Sequence, residues 1–139
     1  MLLSEECNSY FEGVVFSGVG EGAFYVSLYT RRFLEKLGFR PYPGTLNVKV
    51  LDRTRELSLC LSRVKPIVIE PPEIPGMRLG LVYAYPAEIE GFLDTSVYIV
   101  KPLITIYKSD VVEFIATVRL RDILGLRDGD KLRFRLLVA

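Results

Sequence analysis

The sequence predicts a mainly β protein folded as a closed barrel of six or more short strands. Three observations carry that expectation. Short runs rich in Val, Ile, Phe and Tyr recur along the whole chain, glycine and proline punctuate the gaps between them, and helical patterning is confined to brief stretches. Six or more short strands with few helices leave exposed edges unless the sheet closes on itself, which a barrel achieves. At 139 residues, half of them hydrophobic, the chain is sized for one core, so residues 1–139 are expected to form a single domain.

The first strand is Glu12 to Ser17 (EGVVFS), stopped by glycine. Gly18-Val19-Gly20-Glu21-Gly22-Ala23 then places glycines at alternate positions. A backbone free to adopt φ > 0 can turn successive N–H groups toward one point and cradle phosphate oxygens, but the same stretch also reads as a hairpin turn. No Lys-Ser or Lys-Thr follows, so it is not a Walker A loop, and it is not GxGxxG. Ser27 is placed to cap a helix running to Leu37, with Leu28, Phe33, Leu34 and Leu37 on one face, Arg31, Arg32 and Lys36 on the other, and Gly38 as the stop.

The segment 41–50 (PYPGTLNVKV) has a chemistry that an ordinary strand does not need. Pro41 and Pro43 fix φ on the approach, and Gly44 permits a sharp turn. If the chain is extended beyond Gly44, Leu46, Val48 and Val50 face the core while Thr45, Asn47 and Lys49 share the other face. A hydroxyl and a carboxamide side by side are neutral oxygen donors, suited to Mg²⁺ that takes its remaining ligands from water and phosphate. The competing reading is an edge strand with a polar, solvated face.

Residues 52–62 alternate charge with Leu57, Leu59 and Leu61 and are expected to form a short helix; Pro66 to Glu70 is a brief strand. Pro71, Pro72, Pro75 and Gly76 make a rigid loop. The apolar run 79–89 contains Pro86, which predicts an edge or a bend, and Tyr83 and Tyr85, which either stack on a planar ring or pack in the barrel wall. Residues 95–101 and 111–118 have strand composition. Glu113 lies inside the second, where a carboxylate needs a partner, a ligand, water, or an outward position. A helical turn at 119–124, a tight turn at Asp128-Gly129-Asp130 and a last alternating strand at 131–138 complete the chain.

Composition narrows the chemistry. Lys and Arg number 18 against 17 Asp and Glu, so no net field recruits nucleic acid or an acidic membrane. There is no His, which removes the usual general base and every Ser-His or Cys-His arrangement. Cys7 and Cys60 lack CxxC spacing and are expected to be reduced thiols of a cytoplasmic protein. The start carries Glu5 and Glu6 and does not read as a secretory signal, and no apolar run is long enough to span a bilayer.

Five stretches in order, 17–27 (SGVGEGAFYVS), 37–50 (LGFRPYPGTLNVKV), 83–91 (YAYPAEIEG), 101–105 (KPLIT) and 118–132 (VRLRDILGLRDGDKL), resemble the archaeal CTP-dependent riboflavin kinases over nearly the whole chain. The resemblance implies a six-stranded cradle-loop barrel that transfers the terminal phosphate of CTP to riboflavin, giving CDP and FMN. It implies nucleotide contacts at Gly18, Val19, Gly20, Glu21, Gly22 and Ala23 and at Val118, Arg119, Leu120 and Arg121. Thr45 and Asn47 resemble the family's Mg²⁺ ligands, and Thr105 and Glu113 its flavin contacts. With His absent, Glu113 is the candidate base toward the ribityl hydroxyl. The expected partners are CTP and riboflavin, with no nucleic acid and no membrane, and the protein is expected to be a monomer. The rival readings are a swapped-hairpin DNA-binding regulator, suggested by LRDILGLRDGDKLRF, and a flavin carrier without catalysis.

Overall fold

A computed structural model describes residues 7–18, 20–93, 96–105 and 107–137. Strands β1 (Phe11–Phe16), β2 (Leu46–Val50), β4 (Val82–Ile89), β5 (Tyr98–Pro102), β6 (Val111–Ile115) and β7 (Lys131–Leu136) pair antiparallel in the order β4-β5-β6-β2-β1-β7, and β7 returns to β4 to close the barrel. The short β3 (Ile67–Ile69) adds to β4 from outside the closed ring. The expected six-stranded barrel is therefore present.

Alternation along the strands divides the apolar residues between two cores. Phe11 and Val15 of β1, Val48 of β2, Phe114 of β6 and Phe134 of β7 point into the barrel, where Phe134 stacks on Phe11 at 5.8 Å and meets Phe114 edge-on at 5.2 Å. The opposite face of β4, β5 and β6 offers Val82, Ala84, Val100 and Ile115, which are covered by two helices, α1 (Glu21–Leu28) and α2 (Thr30–Leu37), through Val26, Tyr29 and Phe33. Strand β4 is thus buried on both sides. That explains its continuous apolar run, which a strand with one wet face would not need.

Several local expectations are revised. The single helix from Ser27 is two helices: α1 starts much earlier, after Gly20 at φ 85°, and breaks from α2 at Tyr29. Ser27 lies inside α1 and donates to the Ala23 carbonyl at 2.8 Å. Gly38, at φ 83°, ends α2 as expected, but Leu34 is exposed. The helix expected at 52–62 is α3 (Thr54–Arg63), and the turn at 119–124 contains α4 (Leu120–Ile123). Strand β6 ends at Ile115, short of the expected 118. Pro86 marks neither an edge nor a bend. It sits between the part of β4 that pairs with β3 (82–84) and the part that pairs with β7 (87–89), and its carbonyl accepts from the Leu137 N–H at 3.0 Å. Among the described residues no helix is long and apolar enough to cross a membrane.

The expectation of two reduced thiols is corrected. Cys7 and Cys60, 53 positions apart in sequence, form a disulfide with Cα atoms 5.5 Å apart. The reason lies in the closed barrel, which brings the segment before β1 against α3. Arg53 strengthens that junction by donating to the Tyr10 carbonyl at 3.0 Å and the Ser9 hydroxyl at 2.9 Å, with its guanidinium 4.4 Å from the centre of the Phe11 ring. A cross-link closing so long a loop removes many unfolded conformations. Cys60→Ser is therefore expected to lower unfolding free energy by about 2–4 kcal/mol. Denaturant unfolding of the variant beside the oxidised and thiol-reduced parent checks this, and identical stability in all three would show that the bridge contributes nothing.

Candidate functional site

The site is built where β2 lies beside β6. Their register sets Asn47 opposite Glu113, and both point away from the barrel core because Leu46, Val48, Val112 and Phe114 occupy the inward positions. Asn47 is nevertheless only 9% exposed and Glu113 5%, the two buried polar or charged residues among those described. Just before β2, Thr45 has its hydroxyl 2.9 Å from Asn47 Oδ1 and 3.1 Å from Glu113 Oε1. One hydroxyl proton can serve only one of these acceptors at a time.

Two cavities meet at this triad. The first, about 320 Å³, is lined by Gly18, Gly20, Gly22 and Ala23, by Tyr42 to Asn47, and by Val118 to Arg121, with Phe16, Ser17, Phe114 and Ala116 completing the wall. The second, about 370 Å³, is lined by Glu113, Thr105, Tyr107, Lys101 and Tyr85, with Ser58, Leu61 and Ser62 of α3 on the far side. Thr45 opens on the first cavity and bonds to the carboxylate that opens on the second.

Glycine is required here by close approach. A Cβ on Gly18 would overlap Asn47 Nδ2 and the Tyr107 hydroxyl, and a Cβ on Gly22 would overlap the Thr45 hydroxyl. With Gly20 in the left-handed region, α1 starts on the cavity wall, and the free N–H groups of its first turn give that end a positive character suited to an anion. The opposite wall is tied to the same loop. Arg121 reaches Asp128 at 2.8 Å and the Ser17 hydroxyl donates to Asp128 at 2.9 Å, so one carboxylate bridges the glycine segment and the 118–121 segment. Hydrogen bonding from Ser17 first, then Arg121, holds that exposed carboxyl below the usual range.

Burial pushes the Glu113 carboxyl up to about 7; the Thr45 hydrogen bond and the Lys101 charge oppose the shift, and Glu21 adds to it. Burial lowers the Lys101 ammonium, against the attraction of Glu113 and Asp110. Its Nζ donates to the Val111 carbonyl at 2.5 Å. Among the described residues no group of three or more Cys, Asp or Glu is placed to hold a metal. The donors that do converge are neutral: Thr45 Oγ1 and Asn47 Oδ1 at 2.9 Å match the separation of adjacent oxygens around an octahedral hard cation, roughly 2.9 Å for bonds of about 2.0–2.1 Å.

The structure brings together most of the residues singled out in the sequence. Gly18, Gly20, Gly22, Ala23, Thr45, Asn47 and Val118 to Arg121 share one cavity, and Thr105 and Glu113 share the other. Glu21 is exposed in the first turn of α1 and is not part of the wall, and Val19 lies outside the described residues. Tyr85 lines the second cavity, whereas Tyr83 packs against the barrel core. Sequence reasoning missed Lys101, Tyr107 and the α3 residues. Lys101 had a signal, a lysine ending an apolar strand; Ser58 and Ser62 had none, because α3 reaches the cavity only through tertiary packing.

Comparison with known proteins shows the family. A family model named for CTP-dependent riboflavin kinase, and described as domain of unknown function DUF120, matches residues 15–136. The riboflavin kinase of Aeropyrum pernix is 56% identical over 127 residues, covering 91% of this chain and 95% of that protein. Riboflavin kinases of Pyrococcus abyssi and Archaeoglobus fulgidus are 44% and 41% identical, each over 93% of this chain; the match spans 59% and 55% of their own lengths.

Glu113 also predicts a pH dependence of stability in the ligand-free protein. A folded-state value near 7 lies above the ordinary 4.5, so the folded form binds the extra proton and stability falls as pH rises across that window. Glu113→Gln keeps the shape without the charge and is expected to be the more stable protein at pH 8, by up to about 3 kcal/mol, with the advantage gone at pH 4.5. Melting curves at the two pH values check the sign, and a variant less stable at pH 8 would contradict it.

Proposed function

The chain belongs to the CTP-dependent riboflavin kinase family, and on that premise we propose that it transfers the terminal phosphate of CTP to a riboflavin hydroxyl, giving CDP and FMN. The observation that carries this reading is the contact between the two cavities. Thr45 opens on one, Glu113 on the other, and the 3.1 Å hydrogen bond between them joins the two cavities, so that a phosphate held in one lies next to a hydroxyl held in the other.

CTP takes the cavity walled by the glycine segment and residues 118–121. Backbone N–H groups at the start of α1 hold its phosphates, as a helix N-terminus does for anions. Riboflavin takes the second cavity, with Thr105 and Glu113 at its polar edge and Tyr85 and Leu61 supplying apolar wall. Mg²⁺, held by Thr45 and Asn47, supplies the charge neutralisation that phosphoryl transfer requires. Glu113 orients the ribityl hydroxyl and accepts its proton as the new P–O bond forms, while the bond to the CDP oxygen breaks. The Lys101 charge opposes the burial that raises the Glu113 carboxyl to about 7, and so favours its carboxylate form.

Incubation with riboflavin, Mg²⁺ and either CTP or ATP, followed by chromatography, tests the activity and the donor together. FMN is expected to form faster with CTP; equal or faster formation with ATP would reject the donor assignment, and no FMN with either would leave the flavin-carrier reading.

Asn47→Ala tests the metal assignment. Removing one ligand is expected to cost about 10²-fold or more in turnover and to raise the Mg²⁺ concentration needed. Because Asn47 is buried, the variant also loses about 1 kcal/mol of stability, and a melting curve confirms that it is folded. Full activity at ordinary Mg²⁺ would refute the ligand role.

A further inference from the structure

The Tyr25 hydroxyl is the buried side-chain polar atom that has no hydrogen-bond partner among the described residues. Leaving such a group unsatisfied costs about 1–3 kcal/mol, so its persistence calls for a physical reason. Packing alone would be served by phenylalanine. The ring already has its apolar contacts, edge-on to Tyr29 at 6.0 Å and against the cluster that lines the outer face of β5 and β6.

That cluster locates the hydroxyl. It includes Ile115, which shares a face of β6 with Glu113, and Val100, which faces Glu113 across the β5–β6 pair. The phenol and the carboxylate therefore lie under the same helix, close enough to feel each other's charge: burial chiefly, then Glu113, pushes the phenol well above its usual range, so it stays a neutral donor. A carboxylate can accept several hydrogen bonds, and the described Thr45 donor to Glu113 has a single proton that Asn47 also claims.

We propose that Tyr25 is a positioning residue for the transfer, its hydroxyl donating to the Glu113 carboxylate once substrates engage Thr45 and Asn47. With Thr45 and Asn47 turned to the cation they would hold, Glu113 would lose the Thr45 proton and need another donor to anchor it while it faces the ribityl hydroxyl. Tyr25, held in place by α1 against the face of β5 and β6 that Glu113 shares, is the neutral donor placed to take that role. The same helix whose first turn faces the phosphates would thus also aim the carboxylate, coupling the two cavities through one rigid element. This rests on the reading of Glu113 as the residue that handles the hydroxyl proton.

Tyr25→Phe, Glu113→Gln and the double variant test it. Tyr25→Phe removes only the hydroxyl; its melting temperature is expected to equal or exceed the parent's, its KM for riboflavin to stay within about 2-fold, and its kcat to fall about 10-fold or more, as loss of a hydrogen bond to a charged group does. On the Glu113→Gln background the same substitution is expected to have no further effect. An impaired Glu113→Gln beside an unimpaired Tyr25→Phe overturns the proposal alone, as does an equal loss from Tyr25→Phe on both backgrounds. A lowered melting temperature overturns it too, since it would reveal a partner already present in the free protein. Full turnover by Glu113→Gln instead rejects the reading of Glu113, and the proposal with it.

Discussion

The register between β2 and β6 is the constraint on which the rest of the structure depends. Side chains alternate along a strand, so a slip of one residue would turn Asn47 and Glu113 into the barrel and push Val48 and Phe114 out of it. The apolar residues on the inner face thus hold the polar residues of the outer face in place. Burial of Val48, Val112 and Phe114 supplies the stability, and the alignment of a carboxamide with a carboxylate across two strands follows from it.

Two polar groups so placed are costly unless something covers and satisfies them. The glycine segment and α1 provide the cover. Gly18 and Gly22 let backbone lie directly on Asn47 and Thr45, closer than any side chain would permit, and the Thr45 hydroxyl supplies the hydrogen bond. The compensation is incomplete. Glu113 remains far from its ordinary ionisation, Lys101 is held partly out of water, and the Tyr25 hydroxyl has no partner among the described residues. Unsatisfied polarity is concentrated around one strand pair instead of being scattered, which is the pattern of a site held ready for ligands.

Stability to carry that load comes from elsewhere in the fold. The aromatic stack of Phe11, Phe134 and Phe114 fills the barrel, α1 and α2 seal the outer face of β4 to β6, and the Cys7–Cys60 bridge with Arg53 locks the start of β1 to α3. The last of these also touches function, because α3 contributes Ser58, Leu61 and Ser62 to the second cavity. The wall of that cavity is therefore anchored by the same junction that holds the first strand.

Much of this was legible in the chain alone. Period-two patterning marks the strands, and the offset of Thr45 and Asn47 from Leu46, Val48 and Val50 already separates a polar face from a core face, because strand geometry is local. The motifs named the glycine segment, Thr45, Asn47, residues 118–121, Thr105 and Glu113 for the same reason: each lies in a short contiguous stretch. What local patterning could not express was contact across the chain. Nothing in sequence spacing says that Cys7 meets Cys60, that the helix begins at Glu21 under a left-handed Gly20 and not at Ser27, or that Ser58 faces the same space as Thr105. Nor does it say that Tyr25 ends beside Glu113. Those relations are set by barrel closure and by the packing of α1 to α3 on its surface, which pair residues far apart in sequence through a register and a crossing that only the assembled tertiary structure decides.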